Sequence, residues 1–179
     1  MHLRLSNGGY IGTSSALTVA LLWLLVSWVA QAETRYVWIN SPNPSAPYTN
    51  WETAAQNIQA AVDAAQAGDI VLVTNGMYNT GGKAVYGTMT NRVAIDKAIT
   101  VQSVNGSDVT WIVGTPAPGT TNCGDGAIRC AYVGTNAVLA GFSLTNGFTR
   151  NSGNESREQN GGGVWSESSG LVTSITMLS

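Results

Sequence analysis

Apolar residues along most of this chain come in short, β-branched runs broken by glycine, asparagine and threonine, and a helical period occurs once. Ile70–Thr74, Val93–Ile95, Ile99–Val104, Thr110–Val113, Ala127–Val133, Val138–Thr145, Gly163–Trp165 and Leu171–Leu178 each read as strands. Tyr36–Asn40 is a weaker one, followed by an irregular loop, Ser41–Asn50, with prolines at 42, 44 and 47. The exception is a helix. Thr53 is placed as its N-cap with Gln56 as the capping-box partner, and Ile58, Ala61, Val62 and Ala65 form a narrow apolar stripe that Gly68 ends. About a dozen residues of helix are not stable alone, so this one must lie on an apolar surface.

The strands resemble one another. Val71-Leu72-Val73-Thr74-Asn75-Gly76 matches Phe142-Ser143-Leu144-Thr145-Asn146-Gly147, with Val101–Gly106 as a looser copy. Three all-β architectures compete. An antiparallel sandwich would use the Asn-Gly pairs as hairpin turns, but long polar or glycine-rich stretches follow two of them. A propeller has less support. A parallel β-helix puts Asn and Gly at corners and stacks Val, Ile, Leu and Phe of successive coils, which accounts for short β-branched runs. Its open first coil needs a cover, and the amphipathic helix before Ile70 fits as an N-terminal cap. At about 20–30 residues per coil, residues 69–179 make about four or five coils. Residues 33–68 then hold the first strand, loop and capping helix. The chain ends on a strand with no cap, so the expected molecule is the N-terminal part of a longer protein.

Residues 1–32 have a different character. Arg4, an apolar run from Ala16 to Ala30 and the Ala-Gln-Ala ending at Ala32 form a signal peptide. The expectation is export: secreted, periplasmic or cell-surface, with no membrane span after cleavage. Cleavage also removes His2, the only histidine, and with it any Ser-His-Asp, Cys-His or histidine-metal chemistry in the remainder. Eight Lys and Arg against ten Asp and Glu give no basic surface for nucleic acid. In an oxidising compartment Cys123 and Cys130, seven positions apart, are candidates for a disulfide, with two separate thiols as the alternative.

The stretch Trp51–Tyr78, with Ala54-Ala55, Ile58-Gln59, Ala61-Val62, Gly68-Asp69, Val71 and Gly76-x-Tyr78, resembles the opening of secreted right-handed parallel β-helix proteins of the pectin-lyase-like superfamily. Gly141–Gly147 and Gly161-Gly162-Gly163-Val164-Trp165 resemble repeats of bacterial surface β-helices, including polymorphic outer-membrane-protein-like chains. The resemblance implies a right-handed coil. It does not choose a function, because the fold hosts lyases, hydrolases, adhesins and passive surface proteins.

Enzymes of that superfamily use an Arg or Lys base and acidic residues holding calcium, and none of their motifs is matched. The local material is Arg92, Asp96 with Lys97, and Asp125 with Arg129. Solvated corners and loop-fixing contacts are the simpler readings of these residues. Calcium is the one cofactor left open, through Asn151, Asn154, Glu155 and Glu158. Aromatic rings stack on sugars, and Trp38, Trp51, Tyr78, Trp111 and Trp165 are available. Trp51 reads as part of the cap, Trp111 has no evident facing, and Trp165 is the best outward candidate. Glu155 and Trp165 are therefore the expected ligand contacts. The leading function is a structural or adhesive surface β-helix binding a polysaccharide or cell-surface glycan. Its rivals are a polysaccharide lyase or glycoside hydrolase-like enzyme with catalytic coils beyond residue 179, and a stalk presenting another domain.

Overall fold

Strand register organises the molecule. The computed structural model describes residues 31–178, so the expected leader falls outside them except for its last two residues. Sheet A holds β1 (Thr34–Val37), β2 (Ile70–Val73), β6 (Thr100–Ser103), β9 (Val138–Ala140) and β12 (Leu171–Thr173). Sheet B holds β3 (Gly76–Tyr78), β7 (Thr110–Val113), β10 (Ser143–Thr145) and β13 (Thr176–Leu178). Sheet C holds β4 (Lys83–Ala84), β5 (Thr90–Ile95), β8 (Ile128–Val133) and β11 (Val164–Ser166). From β2 onward the chain visits A, B and C in turn. Each pair is parallel except β4 with β5, so the fold is a parallel β-solenoid.

Ile70 pairs with Thr100, Thr100 with Val138, and Val138 with Leu171, so the coils advance by 30, 38 and 33 residues. The first sits at the upper end of the expected range of about 20–30 and the other two exceed it. The described residues make three coils and the A and B strands of a fourth. The difference lies at the corner from B to C, where the chain makes long excursions over residues 79–89, 114–127 and 146–163. By contrast the A-to-B corner is two residues long in three coils and six, residues 104–109, in the other. Gly141 at φ 80° and Ser174 at φ 53° each divide what reads as one strand into two, on different sheets. The sequence echoes are also reassigned. Val71–Val73 and Val101–Ser103 are register mates, but Gly76 pairs with Thr110 rather than Gly106, and the Phe142–Gly147 copy lies one face further on, with Ser143–Thr145 in sheet B.

Inward side chains stack in columns. Val71, Val101 and Leu139 line sheet A, Tyr78, Ile112 and Leu144 line sheet B, and Val93 and Ala131 line sheet C, all of them buried. Each large apolar side chain so buried contributes about 1.5–3 kcal/mol.

Helix α1 spans Ile58–Ala64, shorter than the dozen residues expected, and Asn57 rather than Thr53 is its N-cap. The Asn57 carboxamide oxygen accepts from the Ala60 amide at 2.9 Å. Thr53 is unavailable because its amide and hydroxyl both donate to Asn50 Oδ1, and Gln56 donates to the Ser41 carbonyl instead. The helix also follows β1, which opens sheet A, so it is internal to the solenoid chain. Its place is beside β5. Gln59 accepts from the Ala94 amide at 2.7 Å and donates to the Ala94 carbonyl at 3.3 Å, standing in for a neighbouring strand. Lys97 donates to the Val62, Asp63 and Ala65 carbonyls, each at 2.8 Å, and thereby closes the helix C-terminus.

A candidate glycan-binding face on sheet C

Register puts Ala94, Tyr132 and Trp165 in one column on β5, β8 and β11. Because neighbouring strands lie about 4.8 Å apart, the last two rings stack, with centroids 5.6 Å apart and planes 8° from parallel. Tyr86, on the first excursion, meets both edge-on at 5.8 and 6.0 Å. The hydroxyls of Tyr86 and Tyr132 donate to Glu167 Oε1 at 2.7 and 3.2 Å. Burial, then the adjacent Tyr86 hydroxyl and Glu167, push the Tyr132 phenol above its ordinary pKa. The Arg157 guanidinium sits 4.1 Å from the Tyr86 ring centroid. Tyr132 is buried, Trp165 and Tyr86 are half-buried, and Arg157 is exposed.

Trp165 therefore faces outward on a built aromatic cluster, with its indole N–H donating to the Ser156 carbonyl at 2.7 Å. Glu155 is exposed and precedes Ser156, whose carbonyl accepts the indole N–H. Sequence reasoning missed Tyr86, Tyr132, Arg157 and Glu167. For Tyr132 the alternation of β8 was an available signal. Tyr86 and Arg157 lie in excursions with no period to read.

Of the calcium candidates, Asn154 and Glu158 meet, but both spend their side-chain oxygens on protein donors. Buried Glu158 accepts from the amides of Thr88 and Asn154 and from Arg150 at 2.6 Å, and these donors hold its carboxyl below the ordinary range. Asn154 Oδ1 caps a turn by accepting from Ser156 and Arg157, while Asn151 is exposed. No group of three or more His, Cys, Asp or Glu among the described residues is placed to share an ion. Arg150 also donates to Asp125, and with Ser152 it holds that carboxyl low, so one guanidinium ties the second excursion to the third.

The remaining candidates have structural partners. Asp96 pairs with Lys83 at 2.7 Å, and Lys97 caps α1. Arg92 donates to the Val113 and Gly81 carbonyls and the Thr115 hydroxyl. Arg129 is fully buried, donating to Asn91 Oδ1 and to the carbonyls of Arg157 and Asn160, and burial pushes it down to about 10. Tyr78 is interior, and burial pushes its phenol up to about 12. Trp51 packs edge-on against Tyr36 of β1 at 4.5 Å, and Trp38 is half-buried. Cys123 and Cys130, the candidates for a disulfide, are both free thiols here. Cys130 is buried on β8, donates to the Thr145 carbonyl and is pushed up to about 11 by burial, whereas exposed Cys123 accepts from the Thr149 hydroxyl.

No known protein family, curated protein or solved structure matches the chain.

Proposed function

We propose that this protein is an exported structural or adhesive β-solenoid that binds a polysaccharide or cell-surface glycan on the outer face of sheet C. Its coil is right-handed and of the pectin-lyase-like kind that the sequence resembles, α1 closes its N-terminal end, and the segment before Glu33 directs export. The observation that carries the binding reading is the Tyr132–Trp165 stack, clamped by Tyr86 with Arg157 over the Tyr86 ring, and Glu155 is the further ligand contact of this reading. A sugar ring packs its C–H face on an aromatic plane, and charged arms beside that plane bond its hydroxyls or carboxylates. Rings already locked by packing lose little freedom on binding.

A panel of acidic and neutral oligosaccharides, read by tryptophan fluorescence and thermal shift, tests this. At least one glycan should bind, and Trp165→Ala should weaken it by roughly threefold to tenfold, the equivalent of an aromatic contact of about 0.5–1.5 kcal/mol. No response to any glycan, or unchanged binding by a folded Trp165→Ala protein, would overturn the reading.

A further inference from the structure

The outer side of sheet B carries a groove that the aromatic cluster on sheet C does not touch. Its volume is about 330 Å³, and it is lined by Asn75, Gly76, Met77, Asp108, Val109 and Trp111. Met77 and Trp111 are register partners on β3 and β7 and project outward, since Tyr78 and Ile112 beside them point into the core. Met77 is 50% exposed and Val109 42%, so the floor is apolar and open. The indole N–H of Trp111 donates to the Asp108 carbonyl at 3.3 Å, which fixes the ring.

Two polar groups border this floor. Asn75 Oδ1 accepts from the Asn105 side chain at 2.7 Å, an arrangement that orients the carboxamide and leaves its own N–H groups to donate. The exposed Asp108 carboxylate has no ion-pair or hydrogen-bond partner among the described residues. We infer that this groove is a second saccharide site, selective for a neutral sugar. The pyranose C–H face lies on Trp111 and Met77, one hydroxyl donates to Asp108, and another accepts from Asn75. A purely apolar ligand would strip water from Asp108 without replacing its hydrogen bonds. An acidic sugar would meet that carboxylate with no Lys or Arg in the lining to offset it. The site stands independently of the sheet C reading.

The test titrates linear hexasaccharides of glucose, mannose and N-acetylglucosamine, with hexagalacturonate as the acidic comparator. Binding is read from the Trp111 indole N–H resonance. At least one neutral hexasaccharide should shift it. Trp111→Ala should weaken that binding about threefold to tenfold, with Trp111→Phe as the milder variant should alanine compromise folding. Asp108→Asn should narrow the preference for neutral over acidic sugar, and Trp165→Ala should leave this site unchanged. Three results would overturn the proposal: no neutral sugar shifting Trp111, hexagalacturonate binding there equally well, or the face proving to be a self-association surface. The last would show as a concentration-dependent dimer abolished by Trp111→Phe without any sugar response.

Discussion

Replacing Asp69 by asparagine tests how the first strand is fastened to the solenoid. The Asp69 carboxylate, 3% exposed, accepts from the amides of Glu33 and Gln66 at 2.8 Å each and from Arg35 Nη2 and Nε at 3.2 and 3.3 Å. It thus holds β1 and the turn after α1 against the start of β2. Asp69→Asn keeps the shape, removes the charge and turns an N–H₂ toward a donor. Breaking one side of a buried ion pair costs about 3–5 kcal/mol. The lower end applies, because Glu33, largely exposed, still pairs with Arg35 at 2.6 Å. For a chain of this size that is a fall in Tm of roughly 6–12 °C. Urea denaturation followed by circular dichroism measures it, with Arg35→Met and the double variant completing a cycle. The double variant should be more stable than the two single losses added together, by at least about 1.5 kcal/mol. The dependence on pH has a definite sign. Burial raises the Asp69 carboxyl, but the two amides and Arg35 outweigh it and leave its pKa below the ordinary 3.8. Its stabilisation is therefore complete above that value and lost as pH falls through the lower folded one. The difference between wild type and Asp69→Asn should hold from pH 7 to 5 and shrink below about pH 4. A loss under about 1 kcal/mol at pH 7, simple additivity, or an undiminished difference in strong acid would refute the reasoning.

Two further outcomes follow from close packing and from the cysteines. A Cβ at residue 147 would overlap the Gly162 carbonyl oxygen and lie 2.7 Å from Cys130 Sγ, whereas one at Gly106, φ 85°, would meet nothing within 4 Å. Gly147→Ala should therefore cost about 3 kcal/mol or more, and Gly106→Ala only the left-handed penalty of about 1–2 kcal/mol. Equal losses in urea titrations would contradict the tight approach of the coils. Cys123 is exposed and its thiol is held below the ordinary pKa by the Thr149 hydroxyl and amide, while Cys130 is buried. Under native conditions a thiol reagent should label Cys123 within minutes and Cys130 only on unfolding. Recovery of a Cys123–Cys130 crosslinked peptide from the native protein would contradict the separate thiols.

The strand runs were legible in the sequence because each coil buries one face, and that leaves short β-branched stretches wherever a strand passes the core. Glycine and asparagine at the bends, and a single amphipathic helix, were legible for the same local reasons. Trp165 was legible as a candidate outward ring because it follows the three glycines at 161–163. Local pattern could not supply register. It misplaced Phe142–Gly147 by one face, joined strands across Gly141 and Ser174, and set the coil length too short, because the excursions between sheets B and C carry no period. Nor could it foresee that Asn50 would draw Thr53 away from the helix and leave Asn57 as the cap. The two candidate sites depend on tertiary structure in the same way. Stacking coils sets Tyr132 on Trp165 and Met77 beside Trp111, and a loop contact adds Tyr86, whose hydroxyl reaches Glu167 across 81 residues of sequence. The residue pattern alone marked the segments able to form strands and Trp165 as an outward ring. Only the stacking of coils decided which of them meet, because neighbours in a solenoid are a whole coil apart in the chain.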